Sequence, residues 1–103
     1  MSQFVFTYRT PKGYTTNFER ADAWRAWFDG MGDQLVQLGN PVMERGAIGD
    51  TASETTELGG YSVISADDLD SALTIAKGCP HVEIGGGVEV GLLAEVPGAS
   101  NAS

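Results

Sequence analysis

The spacing of apolar and polar positions changes several times along the chain, and each change marks an element. Residues 4–9 read Phe-Val-Phe-Thr-Tyr-Arg, a β-branched and aromatic run that predicts a strand over residues 3–9. Side chains alternate along a strand, so Phe4, Phe6 and Tyr8 share one face and Val5, Thr7 and Arg9 the other. Thr10-Pro11-Lys12-Gly13 closes it as a turn. Thr16 and Glu19 then have capping-box spacing. Apolar residues follow at Trp24, Trp27, Phe28, Met31, Leu35 and Leu38, on one helical stripe that ends at Gly39 and Asn40-Pro41. Gly30 and Gly32 fall inside this stripe, where each costs about 1 kcal/mol relative to alanine. They mark a break, a kink or a close backbone approach, unless the aromatic stripe simply offsets them.

Residues 42–48 alternate weakly and predict a second strand, and residues 49–58 are polar and acidic, a loop or hairpin connection. Residues 60–65, Gly-Tyr-Ser-Val-Ile-Ser, predict a third strand. Ser65 suits an N-cap, with Asp67 and Asp68 in the first turn of a second helix. Leu69, Ala72, Leu73 and Ala76 give that helix its apolar face, and Lys77, Gly78 and Pro80 end it. Residues 82–84 and 88–96 read as strand on either side of Gly85-Gly86-Gly87, which fits a tight turn, a bulge or a close ligand. The order βαββαβ predicts an α+β, ferredoxin-like domain over residues 1–96, an antiparallel sheet with both helices on one face. Residues 97–103 are small and polar, and read as a disordered tail. Phe4, Val5, Phe6, Val63 and Ile64 make both sheet faces partly apolar, so helices on one face leave an apolar face uncovered. A homodimer through that face is the expected way to cover it.

Composition narrows the partners. The 103 residues hold 14 acidic and 6 basic side chains, a net charge of −8. That balance argues against nucleic acid and anionic membrane, which need basic surface. Cys79 is the sole cysteine, so neither an internal disulfide nor a cysteine-based zinc site is expected. No run of 18 apolar residues and no basic leader is present, so the expectation is a cytoplasmic protein.

Chemistry must come from few residues. His81 is the one histidine and the one imidazole acid or base within a chain; the plainer reading is a loop histidine beside a helix end. Arg9 and Arg45 lie near strand ends, where a convergent pair would suit a carboxylate or phenolate; ordinary salt bridging is the alternative. Tyr8, Trp24, Trp27, Phe28 and Tyr61 line a pocket or simply pack the core. Gly85-Gly86-Gly87 leads into a strand, not a helix N-terminus, so it is no phosphate loop. With one histidine and one cysteine, a transition-metal site is not expected. Asp67, Asp68 and Asp70 lack calcium-loop spacing, and Cys79 follows a helix C-terminus that disfavours a thiolate. No cofactor is expected.

Residues 59–80, GGYSVISADDLDSALTIAKGCP, resemble the strand–helix unit of the YCII-related domain family. His81 and the GGGVEV run resemble that family's closing segment, and FVFTYR and the aromatic helix its opening strand and first helix. The resemblance implies a dimeric α/β barrel, two ferredoxin-like protomers packed sheet against sheet. The Asp-Gly-Pro-Phe motif of a related branch is missing from residues 50–57. The first helix also has no histidine, so the histidine–aspartate dyad proposed for some relatives does not carry over. The wider superfamily implies a cofactor-independent enzyme on a small aromatic or lactone-like molecule. The alternative is a non-catalytic small-molecule-binding or interaction module of the homodimer. His81 is the catalytic candidate, and Tyr8, Arg9, Arg45, Tyr61 and Trp27 are the candidates for binding.

Overall fold

The computed structural model describes residues 1–14, 20–51 and 53–95. Six elements follow in chain order: β1 (Ser2–Pro11), α1 (Ala21–Met31), β2 (Leu35–Gln37), β3 (Thr56–Ala66), α2 (Leu69–Ala76) and β4 (Gly87–Leu92). Two 3-10 turns, Gly32–Gln34 and Pro80–Ile84, complete them. The strands form one sheet in the order β2-β3-β1-β4, antiparallel at every pairing. This is the expected α+β, ferredoxin-like βαββαβ arrangement. Among the described residues no helix is long and apolar enough to cross a membrane.

β1 is central because its alternation supplies the core. Phe4, Phe6 and Tyr8 are buried, opposite Ile64, Ser62 and Gly60 of β3 and Leu92, Val90 and Val88 of β4. The Trp27 ring stacks on Phe6 with centroids 6.1 Å apart and donates its indole N–H to the Ile75 carbonyl at 3.1 Å. One side chain thus joins α1, α2 and the sheet. Val5, Thr7 and Arg9 lie on the opposite face with Val63 and Gly91.

Five expected features move. The first helix ends at Met31, not Leu38, because Gly32 takes φ +56° as its C-cap, a left-handed conformation that favours glycine. Gly32 is therefore a break, and Leu35 pairs with Ile64 in β2. Residues 42–48 form no strand: Pro41 bridges to Gly60 and the Val42 N–H reaches the Gly59 carbonyl, but the next β3 carbonyl, that of Leu58, accepts from the Arg45 side chain instead of a backbone N–H. Ser65 stays in β3 opposite Gln3, and Asp68 caps α2 instead, its carboxylate accepting the Ser71 N–H at 2.8 Å. Residues 82–84 belong to a 3-10 turn opened by Pro80, whose fixed φ suits a first helical position. Gly85, at φ +88°, ends that turn, so the glycine run is a turn into β4. β4 itself stops at Leu92, short of the expected residue 96. The capping box at Thr16 and Glu19 and the tail over residues 97–103 lie outside the described residues.

Candidate functional site

At the end of the sheet where β1 runs out, a cavity of about 740 Å³ opens on the helix side. That volume falls within the roughly 300–1,000 Å³ usual for small-molecule sites. β1 contributes Tyr8 and Thr10, Arg20 comes from just before α1, and α1 contributes Trp24 and Phe28. β3 adds Tyr61 and Ser62, the segment after β2 adds Asn40 and Arg45, and the second 3-10 turn adds His81.

His81 is held on three sides. Its Nε2 and the Thr10 hydroxyl are hydrogen-bonded at 3.3 Å. Trp24 meets its ring edge-on, with centroids 4.8 Å apart and planes at 88°, and Tyr14 lies at 6.0 Å. Its Nδ1 is shielded from solvent and has no hydrogen-bond partner among the described residues. Burial first, and the Arg20 charge second, push the imidazole below the ordinary histidine value. Both favour the neutral ring at neutral pH. Glycine makes the arrangement possible: a Cβ on Gly59 would lie 1.9 Å from the Thr10 hydroxyl oxygen.

Tyr8 gives the cavity a wall, and its hydroxyl is already engaged. It donates to Ser62 Oγ at 2.8 Å, and Ser62 donates to the Leu38 carbonyl at 2.6 Å. Burial raises the phenol well above its ordinary range, outweighing the Ser62 bond that lowers it. Arg45 is a staple. Its guanidinium reaches the carbonyls of Leu58 (2.8 Å) and Val42 (3.0 Å) and the Glu57 carboxylate (3.1 Å). Tyr61 borders the cavity beside Asn40, whose amide is 3.5 Å from its hydroxyl.

Four of the six sequence-derived candidates therefore share one cavity: His81, Tyr8, Arg45 and Tyr61. Two do not. Arg9 lies beside a second, separate concavity with Asp50 and Glu89 and binds the Thr56 carbonyl at 3.1 Å. Alternation had already put it on the face opposite Tyr8. Trp27 is spent on the core contacts described above. Arg20, Thr10 and Ser62 were not expected. Arg20 is one of only four arginines, the sole signal that could have raised it, since its side-chain hydrogen bonds among the described residues reach residues distant in sequence. Cys79 is buried and free, its thiol pushed up by desolvation, and acts as packing. Among the described residues no three His, Cys, Asp or Glu side chains gather as metal ligands.

The family model for the YCII-related domain matches residues 1–95. The fold is similar to 5-chloro-2-hydroxyhydroquinone dehydrochlorinase from Burkholderia phenoliruptrix AC1100, solved in complex with 2,5-dihydroxybenzoquinone. The TM-score is 0.60 at 16% identity, over 91% of this chain and 95% of that one. At that identity the likeness is one of fold. No curated protein matches the sequence.

Proposed function

The chain belongs to the YCII-related domain family, and from that premise we propose a cofactor-independent enzyme acting on a small aromatic or lactone-like molecule. The observation that carries this reading is the His81 imidazole, hydrogen-bonded to Thr10, in the wall of an aromatic cavity that also holds Arg20 and Arg45; its lowered titration favours the neutral ring. The rings of Tyr8, Trp24 and Phe28 match a planar ligand. Because Nδ1 is shielded, Nε2, beside the Thr10 hydroxyl, is the nitrogen a ligand reaches. With the ring proton on Nδ1, Nε2 takes a proton from an acidic O–H or C–H of the ligand and later returns it. The anion left on the ligand meets the positive charge of the arginines. The solved neighbour's hydroxybenzoquinone is the kind of planar, acidic molecule this chemistry suits.

A second reading is a small-molecule-binding module without catalysis. The described polar partner of His81 is a hydroxyl rather than a carboxylate, and Glu57 is held by Arg45, which favours it. Thermal-shift titration with 2,5-dihydroxybenzoquinone, hydroxylated aromatic acids and lactones, followed by turnover assays on the hits, separates the two. The enzyme reading expects stabilisation plus turnover that falls at least about 100-fold in His81→Gln. Stabilisation without turnover supports the binding module, and turnover unchanged in His81→Gln removes His81 from the mechanism.

The assembly we infer is a homodimer through the sheet face of Val5 and Val63, which no described helix covers. Sedimentation equilibrium at micromolar concentration is expected to give twice the chain mass; a monomer would count against it.

A further inference from the structure

We propose that Arg20 is the positioning residue for His81: its side chain ties the turn that bears the imidazole to the start of α1 and keeps a fixed positive charge beside the ring. Arg20 directly precedes α1, and its carbonyl accepts the Trp24 N–H at 3.1 Å. Its Nη2 donates to the Pro80 carbonyl at 3.1 Å and to the Glu83 carboxylate at 2.9 Å. Those two acceptors bracket His81 in the chain. Trp24, one helical turn on, presses its ring against the imidazole. Arg20 and Trp24 therefore hold the turn by its backbone and by its ring.

The charge side of the pairing is unequal. The Arg20 side chain is 29% exposed and the Glu83 side chain 76%. Water screens the carboxylate more than the guanidinium, so the ion pair leaves positive field at His81. Arginine suits this place because it stays charged and its planar fork spans two acceptors. Thr10 of β1, Tyr14 after β1, Arg20 and Trp24 at the α1 start, and Glu83 on its own turn surround the imidazole. Across the cavity Arg45 and Glu57 pair with each other. Of all these, Arg20 is the group whose charge holds the His81 titration down, and Glu83 opposes it.

The purpose of such positioning rests on the reading of His81 as the acid–base group, but its test does not. His81 is the only histidine, so its imidazole C–H signals in a proton–carbon NMR spectrum are unambiguous. Their pH titration is followed in the free protein for the wild type, Arg20→Gln, Arg20→Lys and Glu83→Gln. The midpoint is expected to rise in Arg20→Gln, to return part of the way in Arg20→Lys, and to fall in Glu83→Gln. An unmoved midpoint in Arg20→Gln would overturn the proposal, as would an equal rise in Arg20→Lys, which reports lost packing rather than lost charge. Should Arg20→Gln fail to fold, a rise in Glu83→Gln would overturn it independently. A ligand screen that finds no turnover leaves this result standing, and an unmoved midpoint leaves the ligand reading standing.

Discussion

The shortest chain of cause in the site runs from a missing side chain to an imidazole. Gly59 leaves room for the Thr10 hydroxyl, and that hydroxyl holds His81 Nε2. Gly59→Ala is expected to turn the Thr10 hydroxyl away, cost about 1–3 kcal/mol by overpacking, and move the His81 resonances. Urea unfolding and the NMR spectrum check the two effects separately. The depressed His81 titration also sets a pH dependence. Below the ordinary value of 6.5 and above the folded value, the unfolded chain binds the extra proton, so stability falls as pH falls through that window. His81→Gln is expected to flatten the unfolding free energy against pH there. His81 was legible as the one imidazole in the sequence. Arg20 was not, because what distinguishes it is a carbonyl and a carboxylate 60 and 63 residues away, and pattern along the chain carries no such information.

At the scale of elements, periodicity gave the second helix and the first and third strands, and misled where two periods overlap. Leu35 and Leu38 continue the helical spacing of Trp24, Trp27, Phe28 and Met31, yet the helix has already ended at Gly32. The backbone conformation of one glycine outweighed the spacing of two leucines. Residues 42–48 alternate like a strand, but past Val42 the β3 carbonyl of Leu58 is taken by the Arg45 guanidinium and not by a backbone N–H. Their place is fixed by the Arg45 staple instead. The glycine run was read correctly as a possible turn, and the geometry says which glycine matters. A Cβ on Gly86 would lie 2.3 Å from the Arg9 carbonyl and 3.0 Å from that of His81. Both contacts are backbone, so neither rotates away. Gly86→Ala is expected to cost about 1–3 kcal/mol, read as a lower urea midpoint, whereas Gly87→Ala, which meets nothing within 4 Å, is expected to leave stability nearly unchanged.

For the whole molecule, the helices use one sheet face and the cavity sits at its end, between the start of α1 and the 3-10 turn of His81. No described helix covers the other face, where we place the proposed dimer contact. Placing a carboxylate there tests that use: Val63→Glu is expected to weaken the proposed dimer at least tenfold, about 1.4 kcal/mol, in sedimentation, while far-ultraviolet circular dichroism stays as in the wild type. The overall fold was legible because alternation in β1 and the α2 stripe are local signals; the cavity was legible only in part, since its walls come from five separated segments. The most direct test of the proposed site uses the single histidine again, now at constant pH. Titrating 2,5-dihydroxybenzoquinone into the protein should shift the His81 imidazole signals saturably, at one site per chain. A ligand that stabilises the protein while those signals stay unmoved would contradict the assignment of this cavity as its binding site.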